Sequence, residues 1–307
     1  MIVLAGPTAS GKSDLAAALA ESLGGVVISA DSRQVYRRLD AGTAKPSAAL
    51  RARVPHKLLD VADPAEAFDA GRWAREASAA IAEARSAGLV PVVCGGTGLY
   101  LRALLEGLAP MPPRDEAVRA RLNAEAESGG RAALHARLKK ADPKAAAAIP
   151  PANVQRVVRA LEVLELTGRP ISEHWAAGRA GAEPAALTLR LELAPEALKA
   201  RIESRARAMW PAMLAEVRAL VPKEYAGTEP GFTSLGYREA LACVRGDLTE
   251  EAGLDELVRG TNAYAKRQRT WFRGQLDAVA LDAALAPDAL LAAARRLWED
   301  AREKTAA

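Results

Sequence analysis

Apolar residues in the first third of the chain fall in short blocks. Residues 2–5, 26–29 and 89–94 are nearly continuous runs of Val, Ile, Leu and Ala. Such runs, bounded by glycines, predict strands buried on both faces. Residues 188–193 alternate apolar and polar positions and predict a fourth strand. Residues 13–23, 70–86, 99–105 and 195–220 carry helical patterns between and after these strands. Strands alternating with helices predict a parallel sheet covered on both sides. The rhythm breaks at Pro110, Pro112 and Pro113. From there to about residue 175 no strand pattern occurs, and Val154, Val157, Val158, Leu161 and Leu164 repeat with a helical period. Residues 178–184 form a return linker. The expected organisation is an α/β core, residues 1–113 and 185–307, with a helical C-terminal part. A helical insertion domain occupies 114–184.

Composition narrows the possibilities. The chain has 307 residues, half of them hydrophobic and 26% charged, which excludes wholesale disorder. Its two cysteines, Cys94 and Cys243, exclude a disulfide scaffold and a four-cysteine zinc site. His56, His135 and His174 have no metal-ligand spacing. No run of 18 apolar residues exists, so no membrane partner and a cytoplasmic location are expected. Nothing calls for an obligate dimer, so a monomer is expected. The net charge of +4 allows a polyanionic partner without demanding one.

The clearest chemistry lies at the start. Gly6-Pro7-Thr8-Ala9-Ser10-Gly11-Lys12-Ser13 fits the phosphate-loop pattern G-x-x-x-x-G-K-[ST]. A chance match in a chain this long has odds of roughly one in a hundred. An apolar strand precedes it and a helix follows, so the core is expected to be P-loop NTPase-like. The glycines let backbone amides turn toward a phosphate, and the helix adds its positive end. Lys12 would reach the outer phosphate and Ser13 a magnesium ion. The loop does not say whether the ligand is ATP or another diphosphate.

Asp31 follows the second strand, and ligands bind beyond the carboxyl ends of parallel strands. It could hold magnesium through water, act as general base, or cap a helix. Gly95-Gly96-Thr97-Gly98 follows the third strand and would present the Thr97 hydroxyl at the same edge. Basic residues group at Arg114, Arg119 and Arg121, at Arg156 and Arg159 beside Gln155, and at Arg259, Lys266, Arg267, Arg269 and Arg273. Each group alone reads as a solvated face; three groups together point to a nucleic-acid groove.

The ordered motifs resemble the bacterial tRNA dimethylallyltransferases, also called tRNA isopentenyltransferases. The likeness rests on the phosphate loop, Asp31 to Tyr36 (DSRQVY), Gly42 to Pro46 (GTAKP), Pro55-His56 and Gly95 to Tyr100 (GGTGLY). It continues through Asn153 to Val163 (NVQRVVRALEV), Gly236 to Glu239 (GYRE) and Tyr264 to Trp271 (YAKRQRTW).

This resemblance implies transfer of a dimethylallyl group from dimethylallyl diphosphate to N6 of the adenosine 3′-adjacent to the anticodon. The diphosphate would sit on Gly6, Pro7, Thr8, Ala9, Ser10, Gly11, Lys12 and Ser13, with Mg2+ on Ser13. Asp31 would be the general base, and Thr97 a second catalytic residue that positions a substrate. The tRNA would meet Asp31, Ser32, Arg33, Gln34, Thr97, Arg119, Gln155, Arg156, Val157, Val158, Arg159, Gly236, Tyr237, Arg238, Lys266 and Arg267, with residues 232–238 as a contact stretch. The insertion would clamp the anticodon stem-loop. Asn262, Ser234-Leu235 and Met209-Trp210-Pro211 depart from the family pattern. The alternatives are an isopentenyltransferase or kinase acting on a free nucleotide, and a P-loop RNA-binding protein without catalysis.

Overall fold

The structure is a computed structural model that describes residues 1–178 and 180–306. The chain divides into two units, residues 1–105 with 183–307, and residues 106–182.

The first unit is built on six parallel strands. These are β1 (Ile2–Ala5), β2 (Gly25–Ser29), β3 (His56–Lys57), β4 (Val90–Gly95), β5 (Leu187–Glu192) and β6 (Val279–Asp282), in the order β3-β2-β4-β1-β5-β6. All five pairings are parallel, with Ile2 opposite Val92 and Leu187 on its two sides. β1 and β2 are fully buried, as unbroken apolar runs require. β3 and β6 escaped the sequence reading for a physical reason. β3 has two residues, and β6 lies at the sheet edge with three of its four positions exposed. β3 leaves no apolar block, and the short run Ala278 to Leu281 at β6 lies in an alanine-rich stretch that leads into a helix.

Helices α1 (Lys12–Leu23), α2 (Ala48–Arg53), α3 (Ala70–Ser86) and α4 (Gly98–Glu106) connect the first strands. α1 presents Leu15 and Leu19 to a core shared with the sheet and the C-terminal helix. α3 buries Trp73, whose indole N–H donates to the Ser29 carbonyl (2.9 Å) and whose ring stacks on Tyr100 (centroids 4.8 Å apart). These contacts fix the end of β2 against the start of α4.

The second unit is helical: α5 (Glu116–Ser128), α6 (Arg131–Ala141), α7 (Pro143–Ala148), α8 (Val154–Thr167) and α9 (Ile171–Ala176). Leu122, Leu134, Leu138, Val157, Val158 and Leu161 form its own core. The unit begins at residue 106, before the proline break, because its two ends pair. Leu108 and Ala180 exchange backbone hydrogen bonds of 3.2 and 3.1 Å.

The chain then forms β5, α10 (Pro195–Leu220), α11 (Tyr237–Arg245), α12 (Glu250–Gln275), β6 and α13 (Pro287–Ala306). α10 runs without a break through Pro211.

Candidate active site

The order of the strands brings the carboxyl ends of β1, β2 and β4 side by side. The phosphate loop leaves β1, Asp31 follows β2 and Thr97 follows β4, so three motifs far apart in sequence share one edge. Gly11 adopts the left-handed conformation (φ 88°) at the start of α1 and supplies no side-chain cap. The first amides of α1 are therefore left for a ligand.

A cavity of about 430 Å³ opens at this edge. Thr8, Lys12, Ser13, Asp31, Ser32, Arg33 and Gln34 line it, together with Gly42, Thr43 and Ala44. Burial lowers the Lys12 pKa below the ordinary lysine value, opposed in part by Cys94 and Asp31. The Lys12 ammonium donates to the Pro7 carbonyl (3.4 Å). No carboxylate among the described residues pairs with it. The Ser10 hydroxyl is buried and has no partner.

Asp31 is half-buried. Its Oδ1 accepts the Arg33 amide (2.9 Å). Thr97 stands outside the cavity lining and accepts the Ser32 amide (3.0 Å), while its own amide donates to the Ala30 carbonyl (3.2 Å). Thr97 thus braces the turn that carries Asp31. The Gln34 carboxamide accepts from the Ser29 hydroxyl (2.9 Å) and donates to the carbonyls of Thr43 (3.2 Å) and Ala44 (3.1 Å). It holds the 42–44 loop at the rim.

Two lining residues lay outside the sequence expectations. Arg205 on α10 donates to the Thr8 hydroxyl; burial lowers its pKa, and Asp31 works against that. No carboxylate among the described residues pairs with Arg205 either. Gln268 on α12 is buried; it accepts the Thr8 amide (2.9 Å) and donates to the Gly96 carbonyl (2.7 Å). A β-carbon on Gly96 would lie 2.4 Å from the Gln268 amide nitrogen, and one on Gly98 would lie 2.5 Å from the Trp271 ring. The glycines after β4 therefore exist because α12 crosses them. Tyr264, one turn before Gln268, has its phenol pushed up to about 12 by burial. The only advance signal for Arg205 was its place beside the apolar face Leu198, Ile202 and Ala206.

The structure corrects several expected RNA contacts. Val157 and Val158 are 1% and 0% exposed in the helical core, because α8 turns its apolar face inward there. Gln155 and Arg156 remain exposed on the same helix. Tyr237 is 0% exposed, and Gly236 and Phe232 are buried beside it. The Tyr237 hydroxyl donates to Glu216 (2.6 Å) and accepts the Gly42 amide (3.1 Å). Glu216 also accepts the amides of Asp40 (3.1 Å) and Ala41 (2.8 Å). This network anchors the cavity loop. Arg238 is exposed and bonds Glu239, and Lys266 is exposed. Arg267 is exposed too and lines the cavity, 5.8 Å from the Tyr264 ring.

Arg119 and Arg159 belong to an ion cluster in the helical unit. Both donate to Oε2 of the fully buried Glu162 (3.2 and 2.8 Å), and the Asp115 amide donates to its other oxygen (2.8 Å). Burial opposes ionisation of Glu162, but Arg159, the Asp115 amide and Arg119 hold its pKa below the usual value. Arg159 also donates to the Pro112 carbonyl (2.7 Å).

The sequence pattern of the family described as IPP transferase matches residues 34–275. The chain belongs to the IPP transferase family. A second pattern, described as isopentenyl transferase, matches residues 1–54. A Halorhodospira halophila protein named tRNA dimethylallyltransferase is 48% identical over 283 residues, 91% of each chain. The crystal structure of the full-length tRNA isopentenylpyrophosphate transferase from Bacillus halodurans is 35% identical, with a TM-score of 0.70 over 99% of this chain and 97% of that one. A structure of a eukaryotic dimethylallyltransferase acting on tRNA has a TM-score of 0.75 at 27% identity, over 92% and 73% of the two chains. The family is one of transferases, and its P-loop α/β core is the fold observed.

Proposed function

We propose that the protein transfers a dimethylallyl group from dimethylallyl diphosphate to N6 of the adenosine 3′-adjacent to the anticodon of tRNAs. The observation that carries this function is a single cavity holding Lys12 and Arg205 beside Asp31, with no ion pair among the three. Two half-buried cations without a carboxylate partner suit a diphosphate. A carboxylate facing the same space suits a proton acceptor.

In the reaction the allylic carbon–oxygen bond breaks and a bond from that carbon to N6 forms. The diphosphate leaves with the electron pair of the broken bond. The N6 proton passes to the Asp31 carboxylate. Lys12, Arg205 and the first amides of α1 stabilise the charge that grows on the leaving group. Thr97 holds the Asp31 turn in place. The adenine must leave its stack to reach this cavity.

Magnesium fits the donor set. Ser13 and Asp31 offer hard oxygen donors to the cavity, and magnesium keeps several waters and substrate phosphate oxygens as ligands. No group of three His, Cys, Asp or Glu among the described residues could hold a metal alone, and a bound diphosphate would supply further oxygen donors. Bound there, the ion would add Lewis-acid stabilisation of the leaving group.

The anticodon stem-loop meets Ser32, Arg33, Arg238, Lys266 and Arg267 on the core and Gln155 and Arg156 on the helical unit, which serves as its clamp. The same function has a monomer working in the cytoplasm, where tRNA is found. No helix among the described residues is long and apolar enough to cross a membrane.

Incubation with labelled dimethylallyl diphosphate and unmodified tRNA tests the proposal. Label is expected in the adenosine next to the anticodon. Label only in free AMP would favour the free-nucleotide alternative and overturn it.

A further inference from the structure

Helix α10 contributes one charged and several apolar residues to the lining of the cavity. Arg205, Ala206, Met209 and Met213 line it in sequence. Their spacing keeps them on one helix face. Arg205 marks the diphosphate end through its bond to Thr8. Met209 follows one turn later, about 6 Å along the axis, and Met213 about 12 Å along it. In the other direction Ile202 also lines the cavity but is 1% exposed and packed in the core with α1. Of the apolar α10 residues in the lining, Met209 alone is half-buried rather than buried, so the open apolar space lies on the methionine side.

Met213 closes that space. Its methyl carbon lies 3.1 Å from where a β-carbon would stand on Gly42, and its sulfur 2.7 Å from the corresponding point on Gly236. Leu257 lies 3.4 Å from the same point on Gly236 and also lines the cavity. Met213 is 1% exposed and Met209 half-buried.

We infer that Met209 and Met213 form a ruler that limits the donor to a five-carbon prenyl diphosphate, which rests on the function proposed above. An allylic diphosphate held by Lys12 and Arg205 turns its hydrocarbon away from those charges and along the apolar face of α10. A five-carbon chain reaches about one helical turn past the diphosphate, level with Met209. A ten-carbon chain needs about a second turn and runs into Met213. Interiors are close-packed, so the longer tail has no space without displacing side chains that support Gly42 and Gly236.

The test uses the full-length protein and unmodified anticodon stem-loop RNA, with dimethylallyl and geranyl diphosphate as competing donors. Wild type is expected to transfer only the five-carbon group. Met209→Ala should raise the geranyl-to-dimethylallyl ratio of kcat/KM by about tenfold or more. Met213→Ala should raise it further. Met209→Leu keeps the volume and should leave the ratio unchanged. Met209 is half-buried, so Met209→Ala carries the test if Met213→Ala does not fold. An unchanged ratio in Met209→Ala, with wild type active on dimethylallyl diphosphate, overturns the ruler alone. A wild type that prenylates only free AMP overturns the underlying function, and the ruler with it.

Discussion

Half-buried positive charge is treated in opposite ways in the two units. In the helical unit Arg119 and Arg159 converge on the buried carboxylate of Glu162. In the core Lys12 and Arg205 have no carboxylate partner among the described residues, and burial lowers the pKa of both. A paired buried cation holds structure together. An unpaired one is costly unless a ligand supplies the missing anion. The difference separates the arginines that build the insertion from the cations that await a diphosphate.

The largest expected effects fall on the unpaired side. Asp31→Asn should lower kcat by about 10²–10⁴-fold in single-turnover prenylation. RNA binding should persist; equal loss of both would remove the general-base role. Lys12→Met should lower kcat/KM for the diphosphate donor by about 10²–10³-fold. It should also raise the melting temperature, because a half-buried charge without a partner is removed. The sign with pH follows. The folded pKa of Lys12 lies below its ordinary 10.5, so the cost of burying the charge is fully present below the folded value and vanishes as pH rises toward 10.5. The stability advantage of Lys12→Met should shrink over that window. A variant less stable than wild type at neutral pH would show that Lys12 is structurally satisfied.

On the paired side the effect moves from activity to stability. Glu162→Gln should destabilise the helical unit by roughly 2–3 kcal/mol in urea unfolding, since the two arginines keep some solvent. The folded pKa of Glu162 lies below its ordinary 4.5, so its stabilisation is full above that value and is lost as pH falls through the folded one. Tyr237→Phe removes the link between Glu216 and Gly42 and should cost about 1–2 kcal/mol of stability. Its KM should rise more than its kcat falls, because a cavity loop is loosened rather than a reacting group removed. The smallest change belongs to Arg156→Ala. Its exposed arginine should reduce the salt slope of RNA binding by about one without lowering the melting temperature. Arg159→Ala should lower the melting temperature instead; RNA binding alone affected would place Arg159 at the interface.

Much of the core was legible in advance. β1, β2 and β4 are continuous apolar runs, and the phosphate loop is a local motif whose glycines and lysine are contiguous. Parallel strands deliver their C-terminal residues to one edge, which placed Asp31 and Thr97 there; Asp31 lines the cavity, whereas Thr97 stands outside the lining and braces the Asp31 turn. Val157, Val158 and Tyr237 were misjudged because motif membership does not report orientation. The period of α8 placed both valines on the apolar face, and that face is the core of the insertion. Arg119 and Arg159 fell in two separate basic groups; Glu162, three positions after Arg159, is spaced to pair with it, but nothing in the sequence shows that Arg119 joins them.

The sequence alone therefore determined the strands, the phosphate loop and the residues within a few positions of each strand end. Those features depend on local periodicity and backbone conformation. Tertiary structure decided which charges are neutralised and which distant helices complete the site. Arg205 meets Thr8 across 197 positions and Gln268 meets it across 260. Helical periodicity tells which face of α10 or α12 is buried, but not what lies opposite it. Ion pairing and cavity shape are properties of that opposite surface.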